Sequence, residues 1–79
     1  MTKIEPNKIY EGTLSITSNN NMWVDVENIT IGKSGIHIGR NTPASNPNNF
    51  PNGTRVTVFV ILIGGHKKTN PHGRILEKV

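Results

Sequence analysis

Thr54-Arg55-Val56-Thr57-Val58-Phe59-Val60-Ile61-Leu62-Ile63 is the stretch that decides the fold class. Val56, Val58, Val60 and Leu62 fall on one side of a two-residue repeat, and Arg55, Thr57, Phe59, Ile61 and Ile63 fall on the other. A strand alternates in this way, whereas a helix returns its apolar residues every third and fourth position. Four valines and isoleucines among the last six residues suit a pleated, packed surface. The run Val58 to Ile63 is far too short to cross a bilayer as a helix.

Working outward, the preceding sequence breaks into shorter strands. Lys8 to Thr17 reads as the first, with Ile9, Leu14 and Ile16 as apolar positions and Gly12 inside it. A glycine within a strand permits a bulge or a sharp coil, which a small barrel needs in order to close. Ser18 to Asn21 reads as a turn. Met22 to Glu27 alternates, with Met22, Val24 and Val26 on one side and Trp23, Asp25 and Glu27 on the other. Asn28 to Ile31 either continues that strand or begins the next. Gly32-Lys33-Ser34-Gly35 is a turn, and Ile36 to Ile38 is a short third strand with His37 facing away from both isoleucines.

Gly39 to Gly53, with three prolines and five asparagines, is a long connection with room for one helical turn near Ala44. After the quoted stretch, Gly64 to Pro71 reads as a basic loop and His72 to Val79 as the last strand. The expectation is one all-β domain over residues 1–79, its first seven residues flexible. Five strands with a long connection between the third and fourth fit a small barrel of the OB type. An SH3-like barrel is the rival, and it lacks that long connection.

Several short motifs carry a resemblance. Tyr10-Glu11-Gly12-Thr13-Leu14 is similar to the first strand of cold-shock and related barrels. Ile36-His37-Ile38-Gly39-Arg40-Asn41, Ala44, Asn52-Gly53-Thr54-Arg55-Val56-Thr57-Val58 and the closing Gly73-Arg74-Ile75-Leu76-Glu77 resemble the cold-shock-type domains of the ribonuclease II/R family. Asn20-Asn21-Met22-Trp23 and Gly73-Arg74-Ile75 also look like bacterial translation initiation factor one. The resemblance spans residues 8 to 79 and implies an OB barrel that binds RNA. Two departures stand out: Thr54 follows the glycine where these families have Asp, and the Phe-x-Phe pattern of true cold-shock proteins is missing.

The whole chain is 79 residues long with no cysteine, so neither a disulfide nor a cysteine–zinc site staples it. A domain of this size buries only about 60% of its unfolded surface, so it depends on well-patterned strands. Eleven asparagines reflect either turn chemistry or a coding bias. No secretory leader or membrane span is evident, which gives a cytoplasmic expectation.

The net charge is +4 and the pI about 9.9. Glu5, Glu11, Asp25 and Glu27 lie in the first 27 positions, and no acidic residue occurs from Asn28 to Leu76. That acid-free stretch holds Lys33, Arg40, Arg55, Lys67, Lys68 and Arg74, with His37, His66 and His72, a distribution that suits a polyanion.

Single-strand binding by barrels combines aromatic platforms with basic grooves. Trp23, on the polar side of its strand, is the candidate platform, against the alternative that it caps the core. His37 is a candidate to stack on or hydrogen bond to a base. Phe59 leans to the core, and Tyr10 is open between the two. Lys33, Arg40, Arg55, Lys67, Lys68 and Arg74 are candidate phosphate contacts, His66 is a further nucleic-acid-binding candidate, and Asn41 opens an amide-rich loop able to reach base edges.

No phosphate-binding loop, nucleophile elbow or HExxH motif is present, and the acids are too few for a paired-carboxylate site. His66 and His72 lack a third ligand nearby. The expectation is therefore non-catalytic binding of single-stranded or irregular RNA, or of single-stranded DNA, with no cofactor and no metal. A small viral or phage-type adaptor barrel that binds a host protein is the alternative from another class. An accessory domain of a larger nuclease is the third.

Overall fold

The structure, a computed structural model, describes residues 2–63 and 71–79. It contains five strands: β1 (Ile9–Ile16), β2 (Asn21–Val26), β3 (Gly35–Arg40), β4 (Arg55–Ile63) and β5 (Pro71–Lys78). They close into a barrel in the order β1-β2-β3-β5-β4, with β4 returning to β1. Every pairing is antiparallel except β3 with β5. The expected all-β, five-stranded barrel with a long third connection is what forms.

The core is the inward half of each alternation. Leu14, Met22, Val24, Ile36, Val56, Val58 and Val60 are fully buried. Burying side chains of this kind stabilises the fold by roughly 1.5–3 kcal/mol each. Asn28 to Ile31 is not strand, because Asn28 turns the chain at φ 64° directly after β2. Four asparagines, at positions 7, 20, 28 and 49, occupy the left-handed region that Asn tolerates better than most residues, so part of the Asn richness serves turns.

Gly12 shows how β1 serves two neighbours. It pairs with Val26 on β2 and with Val56 on β4. A Cβ there would come within 2.5 Å of the Asp25 carbonyl oxygen and 2.7 Å of Val24 Cγ1, so only a bare backbone lets the strands cross this closely. Gly73 does the same on β5, where a Cβ would meet the Phe59 carbonyl oxygen at 2.5 Å.

Three extra residues interrupt the ladders. Ile38 is unpaired between Gly39 and His37 opposite β2, Leu76 between Glu77 and Ile75, and Ile61 between Val60 and Leu62. The alternation read in the sequence as running unbroken through Leu62 is thus interrupted at Ile61, an irregularity that a two-residue repeat does not reveal.

The two ends of the barrel are covered differently. The long connection between β3 and β4 makes one turn over Pro43–Ser45, closed by the Asn46 amide donating to the Thr42 carbonyl at 2.8 Å. Asn46 is the buried polar residue that organises the rest: its Nδ2 donates to the Phe50 carbonyl, and its Oδ1 accepts from the Phe50 amide. This sets Phe50 against the core.

The N-terminal segment, expected to be flexible, is docked at the other end. Ile4 is buried, the Thr30 and Ile31 amides donate to the Thr2 carbonyl, and the Asn7 amide donates to the Val60 carbonyl. An apolar side chain at position 4 has a place to go, which charge and turn residues around it obscured.

Candidate functional site

The strand registers sort the outer face into rows. Ser15 on β1 pairs with Trp23 on β2, Trp23 with His37 on β3, and His37 with His72 on β5. Trp23, His37 and His72 are all half-buried. The Trp23 and His37 rings lie with centroids 4.6 Å apart at 51°, and the His37 and His72 rings 5.2 Å apart, edge to face. Three π-systems therefore form a continuous row across three strands. Aromatic pairs in this distance range and tilt are mutually attractive. Trp23 faces out, on the side opposite Met22 and Val24, and does not cap the core.

Burial, and after it the nearby His72, hold the His37 pKa below the ordinary imidazole value. Two imidazoles this close resist becoming charged together. The lowered value favours an uncharged His37 ring, which suits a flat partner. Among the described residues no three His, Asp or Glu side chains converge, so the histidine pair has no third metal ligand there.

A second row runs beside the first: Arg55 on β4, Thr13 on β1, Asp25 on β2 and Gly35 on β3. Arg55 is turned towards acids. Its Nη2 lies 2.8 Å from Glu11 Oε1, its Nη1 3.7 Å from Glu27, and Nη1 also donates to Thr13 Oγ1 at 3.3 Å. The hydrogen bond to Glu11 is the main cause of a raised Arg55 pKa. The sequence grouped Arg55 with the free cations, but the fold puts it beside two of the acids from the first 27 residues.

A third row joins Ile9 on β1, Phe59 on β4 and Arg74 on β5. The Arg74 guanidinium sits 5.9 Å over the Phe59 ring, a cation–π arrangement. Phe59 thus belongs to the outside of the barrel rather than to its core. Arg74 follows His72 by two residues on the same side of β5, so its cation borders both the π row and the apolar row.

Of the remaining candidates, Lys33 and Arg40 lie at opposite ends of β3. Lys33 is exposed just before β3, beside a hollow of about 420 Å³ that Lys3, Ile4 and Pro71 also line. Arg40 is exposed at the end of β3. Asn41 is half-buried, and its Oδ1 accepts from Asn46 Nδ2, so half of its amide is spent inside the connection. His66, Lys67 and Lys68 lie outside the described residues.

His72 is the functional candidate that the sequence left out of the site. Parity on the last strand already separates it from Gly73 and Ile75, but its contact with His37 depends on the parallel β3–β5 pairing of distant segments.

Fold and site together define a class: a small closed β-barrel with an aromatic–imidazole row on one outer face. No family model matches the chain, and neither a curated protein nor a solved structure matches it.

Proposed function

We propose that the chain is an OB-type barrel that binds single-stranded RNA or DNA, without catalysis, on the outer face of β2, β3 and β5. The observation that carries this reading is the Trp23–His37–His72 row. Base stacking on an aromatic contributes about 1–3 kcal/mol per base and tolerates any sequence. The strand order supports it too, because OB barrels bind oligonucleotides on the face of their second and third strands. Lys33, Arg40 and Arg74 border that face and supply phosphate contacts, and Lys67 and Lys68, which precede β5 in the sequence, are further candidates. The motifs similar to cold-shock-type domains and to initiation factor one agree with RNA as the ligand.

Trp23 is the sole tryptophan, so its fluorescence reports the site directly. Titration with a single-stranded oligouridylate should quench it, and affinity should fall steeply between about 50 and 200 mM salt as counterion release is suppressed. An unchanged Trp23 signal at low salt would refute the reading.

A protein-interaction barrel is the second reading, favoured by one observation. Ile9 is 61% exposed and Ile61 50% exposed, on the same side as Phe59. A barrel of this kind would bury that apolar side against its partner.

A further inference from the structure

We infer that the face selects a guanine base, read by the Asp25 carboxylate beside the Trp23 ring across the open position of Gly35. This rests on the single-strand reading above.

Trp23 and Asp25 are two residues apart on β2 and share its outer side. On β3, His37 pairs with Trp23 and Gly35 pairs with Asp25. The point where a Gly35 Cβ would sit is 3.5 Å from Trp23 Cε3 and 3.5 Å from Asp25 Oδ1. Ring and carboxylate therefore bracket one residue position, and that position has no side chain. Nothing in the fold demands a glycine there. Its φ is not left-handed, and 3.5 Å is ordinary contact, unlike the 2.5 Å approaches at Gly12 and Gly73. What the missing side chain leaves is a shallow gap with the Trp23 ring on one side and a carboxylate acceptor on the other.

Asp25 is exposed and, among the described residues, forms no ion pair or hydrogen bond through its side chain. It is an acid on the face that otherwise suits a polyanion, so it repels phosphates and needs a donor to offset that. An ionised carboxylate is acceptor-only, with two oxygens side by side. Guanine is the base whose Watson–Crick edge presents two adjacent donors, N1–H and the N2 amino group. Adenine and cytosine offer one amino group beside an acceptor, and uracil one N–H between two carbonyls. A base stacked on Trp23 with its edge over Gly35 would meet Asp25 with both donors only if it were guanine. Hydrogen bonds to an ionised acceptor are about twice as strong as neutral ones.

The test compares short oligouridylates carrying one central guanine, hypoxanthine or adenine, each titrated against the wild-type chain, Asp25→Asn and Gly35→Ala. Hypoxanthine lacks only the N2 amino group. The guanine strand should bind the wild type about tenfold more tightly than the hypoxanthine strand, or ~1.4 kcal/mol. Asp25→Asn should abolish that difference and keep oligouridylate binding. Gly35→Ala fits sterically, so it should fold normally and lose the guanine preference by filling the gap.

Equal affinities for the three strands in the wild type would overturn guanine selection while leaving the stacking face standing. Failure of every strand to bind at low salt would overturn both. Free guanosine monophosphate binding as tightly as the guanine strand would overturn the single strand as the source of the base.

Discussion

The outer surface of this barrel has two sides that differ in how their charges are used. Around β2, β3 and β5, three π-systems stand in a row, with Lys33 exposed before β3 and Arg40 exposed at its end. Around β1 and β4, Arg55 is already matched by Glu11 and Glu27, and the exposed apolar residues there include Ile9 and Ile61, beside the half-buried Phe59. A count of basic residues treats both sides alike. Pairing distinguishes them: among the described residues Lys33, Arg40 and Arg74 form no ion pair, which leaves them to a ligand's phosphates, whereas Arg55 is held by its own chain.

The largest effect should come from the line that separates the two sides. Gly12→Ala would drive a methyl group into the Asp25 carbonyl and Val24, both on the strand that carries Trp23. Overpacking of this severity should cost about 3 kcal/mol, read as a lowered denaturation midpoint. Next is Trp23→Ala, which should weaken oligonucleotide binding by about 2 kcal/mol, within the range for losing one stacked base. Ile9→Ala, on the other side, should leave binding unchanged. Equal losses from both would erase the contrast.

Acidification should act on the π row with opposite signs for stability and for binding. The folded-state pKa of His37 is depressed, so the unfolded chain takes up its proton first as pH falls. Stability should therefore decline as pH drops through about 6.5 and towards the lower folded value, and be fully present above it. Binding of a polyanion should instead tighten over the same window, because phosphates favour the imidazolium. His37→Gln should flatten both trends. The smallest effect belongs to the ion pair: Arg55→Ala should leave the denaturation midpoint almost where it is, since both partners are well exposed and screened by water, and should not alter binding.

Much of the barrel was legible because alternation is local. Val56, Val58 and Val60 declare their face in the sequence, and so do Met22, Val24 and Val26, which in turn places Trp23 outside. The bulges at Ile38, Ile61 and Leu76 were not legible, because an inserted residue looks like any other until its partner strand is known. Nor was the docking of Ile4, a lone apolar residue among polar ones.

For the candidate site, the limits were pairings between distant segments. Arg55 stands 44 residues from Glu11, and nothing local announces that contact. His72 meets His37 only through a parallel pairing that closes the barrel. Phe59 read as core because both faces of its strand are apolar, yet its ring lies outside under Arg74.

The most direct test of the two-sided surface is an NMR titration of the chain with a short single-stranded RNA at low salt. Perturbations confined to Trp23, Asp25, Gly35, His37, His72 and their neighbours, with Ile9, Glu11 and Thr57 unmoved, are the expected result. Perturbations centred on Ile9 and Thr57, or none at all, would contradict it.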